Sequence, residues 1–146
     1  MKTIIEKFIN NGGQKVIGEY DKETETTIKQ IHYQPDGTTI KCVYEYDKNN
    51  KKPFKKTYYR LDKKILKCVY EYDKATGKLV KYTYYQFDGK TINFITEYNK
   101  NNGNKVKKTH YQSDGTTIRK ITEYDKNTVK PTKKGEKNEQ RHKPRN

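Results

Sequence analysis

The chain is short of the residues that fill protein cores. Leu, Ile, Val and Phe supply only 25 of its 146 residues, and Trp is absent. Combined with a net charge of +15, this shortage approaches the composition of disordered chains and argues against a large two-layer core. Arg is scarce as well, with four Arg against 29 Lys. Lys, Asn, Ile and Tyr are the residues of AT-rich codons, so a biased genome accounts for much of the positive charge. No apolar run approaches the roughly 18 residues of a membrane span. The opening MKTIIEKFINN is broken by Glu6 and Lys7, with no small-residue cleavage site after it, and does not read as a signal peptide. A cytoplasmic location is expected for the sequence as it stands, and a secreted one if a leader has been removed. There is no Gly-rich phosphate loop, nucleophile elbow or metal-binding helix. The sequence therefore gives no support for an enzyme, and no cofactor or metal is expected.

What the chain does have is 14 tyrosines, each able to bury a ring while its hydroxyl stays in water. It also has a repeat. Glu-Tyr-Asp starts at Glu19, Glu45, Glu71 and Glu123, with the variant Glu97-Tyr98-Asn99 between, a constant step of 26. Tyr33, Tyr59, Tyr85 and Tyr111 keep the same step, as do Asp36, Asp62, Asp88 and Asp114. Such self-similarity settles the organisation before any local reading. Residues 1–18 form a degenerate partial unit, with Val16-Ile17 lying 26 before Cys42-Val43. Full units span 19–44, 45–70, 71–96 and 97–122, and a fifth starts at 123, so the array runs 19–125. The tail, 126–146, holds eight Lys/Arg, two acids and two prolines, without apolar periodicity, and reads as disordered.

Each unit contains two strand-like runs, such as IKQIHY (28–33) and IKCVYEY (40–46), rich in β-branched and aromatic residues at period two. Between them lies PDGTT, FDGKT or SDGTT, where Asp-Gly supplies the positive φ of a tight hairpin turn. The second unit has Asp62-Lys63 there, a less favourable turn. Units are joined by Asp-Lys-x-x-Gly-Lys or a relative, a slightly longer hairpin loop in which Gly77 or Gly103 takes the left-handed position. The expected fold is all-β: an antiparallel meander of about eight or nine strands, in a single extended sheet or a thin open barrel. A register centred on Asp-Gly places Lys29, Ile31, Tyr33, Ile40, Cys42, Tyr44 and Tyr46 on one face. It leaves Ile28, Gln30, His32, Lys41, Val43 and Glu45 on the other.

Few residues point to chemistry. Cys42 and Cys68 are repeat-equivalent, two strands or roughly 9–10 Å apart in a meander, beyond the reach of a disulfide. They read as half-buried small hydrophobes. His32 and His110 share a repeat position with Tyr58 and Tyr84, which marks an aromatic strand position rather than a catalytic pair. The paired carboxylates of Glu-Tyr-Asp recur beside Lys48, Lys74 and Lys126, as turn caps and ion-pairing groups do. The tyrosine rows remain as a candidate interaction surface: Tyr33, Tyr59, Tyr85 and Tyr111, and Tyr46, Tyr72, Tyr98 and Tyr124.

The pattern EYDKxxGK…YYxxDGKTI, clearest in EYDKATGKLVKYTYYQFDGKTINFIT (71–96), resembles a repeat domain of unknown function found in phytoplasma and related mollicute proteins. The likeness covers roughly 15–125 and implies an origin without a mechanism. A weaker likeness, to the tyrosine-aspartate shell repeats of bacterial surface proteins, breaks down at Tyr72-Asp73…Gly77, which has three residues before the Gly where that motif has two. The leading expectation is a non-enzymatic module for protein–protein interaction, and the resemblance implies that a host protein is one candidate partner. Nucleic-acid or polyanion binding through the Lys/Tyr surface and basic tail is the alternative, and glycan or cell-surface binding the third.

Overall fold

The computed structural model describes residues 3–9, 12–61 and 65–125. These form ten strands: β1 (Thr3–Ile9), β2 (Lys15–Asp21), β3 (Thr26–Tyr33), β4 (Ile40–Tyr46), β5 (Pro53–Tyr59), β6 (Leu66–Tyr72), β7 (Leu79–Tyr85), β8 (Ile92–Tyr98), β9 (Lys105–Tyr111) and β10 (Ile118–Glu123). Each strand pairs antiparallel with its sequence neighbours in the order β1 to β10, and β1 and β10 do not pair. The described residues are thus an all-β meander in one open sheet. The count exceeds the eight or nine strands expected because residues 1–18 supply all of β1 and the start of β2. That first hairpin runs from Thr3↔Asp21 to Ile9↔Lys15 without interruption. The Asp62-Lys63 turn and the tail, 126–146, lie outside the described residues.

Both kinds of connection are built around an acceptor side chain. In the first unit the Gln34 N–H donates to Thr39 O at 2.7 Å, and the Gly37 N–H to Gln34 O at 2.9 Å. Gly37, at φ +74°, takes the left-handed step alone. The turn is therefore wider than the two-residue hairpin that Asp-Gly signals, and the Asp has a separate role. Asp36 accepts the N–H groups of Thr38 and Thr39, both at 2.9 Å, and the Thr39 hydroxyl at 2.6 Å. Asp88 and Asp114 repeat the arrangement with Thr91 and Thr117. The threonine hydroxyl and the N–H groups hold all three carboxyls down at about 2, against an ordinary 3.8. Between units, the residue four after Asp or Asn closes the loop, as in Gly77 N–H to Asp73 O at 2.7 Å and Gly103 N–H to Asn99 O at 2.8 Å. Gly77 and Gly103 both sit at φ +78°, whereas Glu25 and Lys51 occupy the equivalent positions at +57° and +63°.

The register corrects the sequence-based faces. Tyr33 does pair with Ile40, but the next pairs are His32↔Cys42 and Ile31↔Val43, with Lys41 left over as a bulge. One extra residue moves every later side chain of β4 to the opposite face from the one expected. A bulge recurs in the other within-unit hairpins at Lys67, Asn93 and Arg119. It recurs between units at Ile28, Phe54, Val80 and Val106.

With the register fixed, the two faces separate cleanly. One carries the row Ile17, Ile31, Val43, Thr57, Val69, Thr83, Ile95, Thr109 and Ile121. Beside it runs an alternating charge ladder: Glu19, Lys29, Glu45, Lys55, Glu71, Lys81, Glu97, Lys107 and Glu123. The opposite face carries His32, Cys42, Tyr58, Cys68, Tyr84, Phe94 and His110 in one row, with Gln30, Tyr44, Lys56, Tyr70, Tyr82, Thr96 and Lys108 in the next. Among the described residues no second layer covers either face. Val16, Cys42, Cys68 and Val69 are the only buried hydrophobic residues among those described.

This construction can be tested in three ways. Removing residues 71–96 excises one whole unit, and because stability is nearly additive along such an array, the shortened protein should keep its β circular dichroism and melt earlier. Complete loss of the β signal would refute the additive picture. Lys51→Gly should stabilise the protein by about 1 kcal/mol, the cost of a left-handed side-chain residue, and Gly103→Lys should destabilise it by a similar amount in urea titrations. The third test concerns pH. Carboxyls whose folded pKa lies near 2 stabilise fully above their ordinary 3.8 and lose that contribution as pH falls toward 2. The urea midpoint should drop across that interval, and the triple variant Asp36→Asn, Asp88→Asn, Asp114→Asn should flatten the drop.

Candidate functional site

The two tyrosine sets singled out from the sequence do not share a surface. Tyr33, Tyr59, Tyr85 and Tyr111 end the first strand of each unit, two residues beyond the Ile/Thr row, on the charge-laddered face. The Lys15 ammonium covers the Tyr33 ring at 4.6 Å. Tyr46, Tyr72, Tyr98 and Tyr124 lie at the other end of the strands and belong to the opposite face. There Tyr46 donates to Gln30 Oε1 at 3.3 Å and Lys56 sits 5.4 Å from the Tyr72 ring.

The residues that do come together are mid-strand aromatics. Ring centroids follow one another from His32 to Tyr44 (4.9 Å), Tyr58 (6.3 Å), Tyr70 (5.7 Å), Tyr82 (4.7 Å) and Phe94 (5.9 Å). Phe94 continues to His110 at 5.5 Å and stacks on Tyr84 at 5.3 Å. The chain of rings thus crosses seven neighbouring strands, β3 to β9, about 30 Å at the usual strand spacing. Most contacts are tilted or edge-to-face, the arrangements that ring quadrupoles favour. The Tyr44 and Tyr58 hydroxyls share a hydrogen bond of 3.0 Å. Burial, then that bond, pushes the Tyr58 phenol well above its ordinary value, and burial does the same to Tyr82, so the row stays uncharged.

Cations are set among these rings. Lys56 lies 4.8 Å from the Tyr44 ring and Lys108 4.2 Å from Phe94. The Arg60 guanidinium lies 4.5 Å from Phe87 and 5.7 Å from Tyr84, and donates to Tyr85 O at 2.9 Å. From β3 to β9 no Asp or Glu of a strand occupies this face; the strand glutamates all stand on the other. Burial lowers the pKa of His32, helped by Lys41, and of His110, helped by Lys108, Arg119 and Lys120. Burial likewise lowers that of Lys108, with Lys105 and Lys120 adding to it. Local cations thus act on neighbours already held in a partly dry surface. Such a surface favours an anion that also offers flat apolar groups.

Cys42 and Cys68 face each other across Tyr58, which is registered with both, and both are free thiols. Burial pushes both thiols up, which keeps them protonated and unreactive. Among the described residues, no group of three or more His, Cys, Asp and Glu could hold a metal.

Sequence reasoning missed Arg60 and Phe87, although a signal was present. Arg60 stands where the other units have Gln34, Gln86 and Gln112, and Phe87 where they have Pro35, Leu61 and Ser113. In a repeat array, departures from the common residue are what distinguish one position on the surface from another.

In comparison with known proteins, no curated protein matches the sequence. Solved structures that match the chain include two of TarM. The crystal structure of TarM superposes with a TM-score of 0.51 at 14% identity, covering 79% of this chain and 20% of TarM. A second, of a mutant of S. aureus TarM in complex with Fondaparinux, alpha-GlcNAc-glycerol and UDP, gives 0.49 at 13% identity, covering 75% and 21%. The chain thus spans about a fifth of TarM's length. At these identities the likeness is one of fold alone. A family model matches three stretches, 8–58, 59–110 and 91–136. The first two are each about twice the 26-residue unit, so one family motif corresponds to a pair of hairpins. With most of its length matched, the chain belongs to the family described as Protein of unknown function (DUF2963).

Proposed function

We propose that this protein is a non-enzymatic binding module whose aromatic face holds single-stranded nucleic acid. One observation carries the reading: all acidic strand residues from β3 to β9 stand on one face, and the other combines a row of rings with Lys56, Arg60 and Lys108. Proteins that hold single strands without a sequence motif combine these two features, cations along the backbone and aromatic surfaces for bases. On the charge-laddered face each Lys stands next to a Glu, so the ladder offers little net attraction to phosphate. This reading takes the sequence's alternative over its leading expectation of a protein partner, because the asymmetry of charge between faces supports a polyanion as the ligand.

The test compares equal charge changes on opposite faces of the full-length protein. A labelled single-stranded oligonucleotide is titrated at several salt concentrations against wild type, Lys56→Gln/Lys108→Gln and Lys29→Gln/Lys81→Gln, with folding checked by circular dichroism. Each lost phosphate contact should reduce the slope of log K on log salt by about 0.7. The first pair should therefore weaken binding and flatten the slope by about 1.4, while the second leaves both nearly unchanged. Equal losses from both pairs would make binding a general effect of net charge. Absence of binding by wild type would overturn the reading and return attention to a protein partner.

A further inference from the structure

The aromatic face is not uniform along the array. Where the hairpins of the first three units end, a groove opens between Lys41 and Phe87, with cavities of about 780 Å³ and 330 Å³ meeting at Arg60 and Phe87. Its floor includes Tyr58 and Tyr84, and its walls carry the exposed side chains of Leu61 and Phe87, 75% and 80% accessible. Other rings of the row are half-buried against one another, so Phe87 is the aromatic on this face that offers an open surface. Lys41 and Lys67, the bulge residues of β4 and β6, line the same groove with their side chains exposed. The one acid among the described lining residues, Asp88, has its carboxylate occupied by the N–H groups of Lys90 and Thr91 and by the Thr91 hydroxyl. Arg60 is held by Tyr85 O and lies against Phe87, so the guanidinium and the ring stand as a preformed pair.

We infer that this groove is a nucleotide subsite, in which Phe87 and Leu61 take a base and Arg60, Lys41 and Lys67 take its phosphate. The inference rests on the single-strand reading above and gives that face one specific point of capture. The size is right for one unit: small-molecule sites run from about 300 to 1,000 Å³. So is the chemistry. An open aromatic beside three cations suits a ring that carries a phosphate, whereas a phosphate alone would have no use for Leu61 and Phe87. The same recognition elements serve a nucleotide within a strand and a free mononucleotide, so both sources enter the test.

The substitutions that test it come from the repeat. Arg60→Gln and Phe87→Ser install the residues that the equivalent positions Gln86 and Ser113 already hold in folded units, so the sheet has no structural need of Arg60 or Phe87. Oligodeoxythymidylate of about 12 nucleotides and thymidine monophosphate are each titrated against full-length wild type and both variants. Photo-crosslinking of a 4-thiothymidine-containing oligonucleotide, followed by mass spectrometry, locates the contact. Loss of one stacked base should weaken oligonucleotide binding by about tenfold in Phe87→Ser, with the crosslink in wild type falling on Phe87, Tyr84 or Tyr58. Unchanged affinity in both variants, or a crosslink confined to the tail, would overturn the subsite while leaving binding by the face itself standing. If wild type binds the monophosphate and not the oligonucleotide, and Phe87→Ser abolishes that binding, the subsite holds as a free-nucleotide site and the single-strand reading fails. If wild type binds neither probe, both fail.

Discussion

Pairing between adjacent strands is the interaction on which everything else in this molecule rests. Each strand touches only the strand before it and the strand after it, and among the described residues no helix or second sheet packs over them. The backbone ladder therefore fixes the geometry, and side chains add small local contributions across it. An aromatic pair adds about 0.5–1.5 kcal/mol and an opposed Lys–Glu pair about 0.2–1 kcal/mol. With so few fully buried apolar residues, these terms replace the usual core. Tyrosine suits the task because a half-buried ring loses little when its hydroxyl remains hydrated. Its abundance answers the scarcity of Leu and Val.

A sheet left open on both sides cannot hide charge, so alternation along the strands decides what each surface presents. The residues two apart in a strand share a face, and the pairing partners continue the row. One face thereby combines every strand Glu from β3 to β9 with an alternating run of Lys. The other collects rings, two histidines and cations. The proposed function rests on this partition. The groove at Arg60 is a local elaboration of the same surface, made where two residues depart from the common unit.

Much of this was legible in the sequence. The period of 26, the strand runs and the alternating turns defined an all-β meander, and strand ends in the structure fall within two residues of the expected ones. The face assignment was not legible. It depended on bulges at Lys41, Lys67, Asn93 and Arg119, polar residues of a kind that also fills regular strand positions such as Lys29 and Lys55 and so does not mark a bulge. Hydrophobic patterning would ordinarily reveal such a slip, because one face would turn polar. Here both faces mix apolar and polar groups, so either register looked acceptable. That error also joined Tyr33 and Tyr46 on one face, which the bulge separates, and the candidate surface left out Tyr44, Tyr70 and Phe94 in mid-strand. The two histidines fared better: their shared position with Tyr58 and Tyr84 identified an aromatic row, and all four stand in it.

The alternating ladder from Glu19 to Glu123 carries a rule about how such a chain can change length. Adding or deleting one strand would put Glu opposite Glu or Lys opposite Lys at the junction and at once send the following rows out of phase. Adding or deleting two restores the sign. The number of strands therefore keeps the ladder in phase through duplication and recombination only when it changes in even steps, and the hairpin becomes the smallest heritable unit of growth.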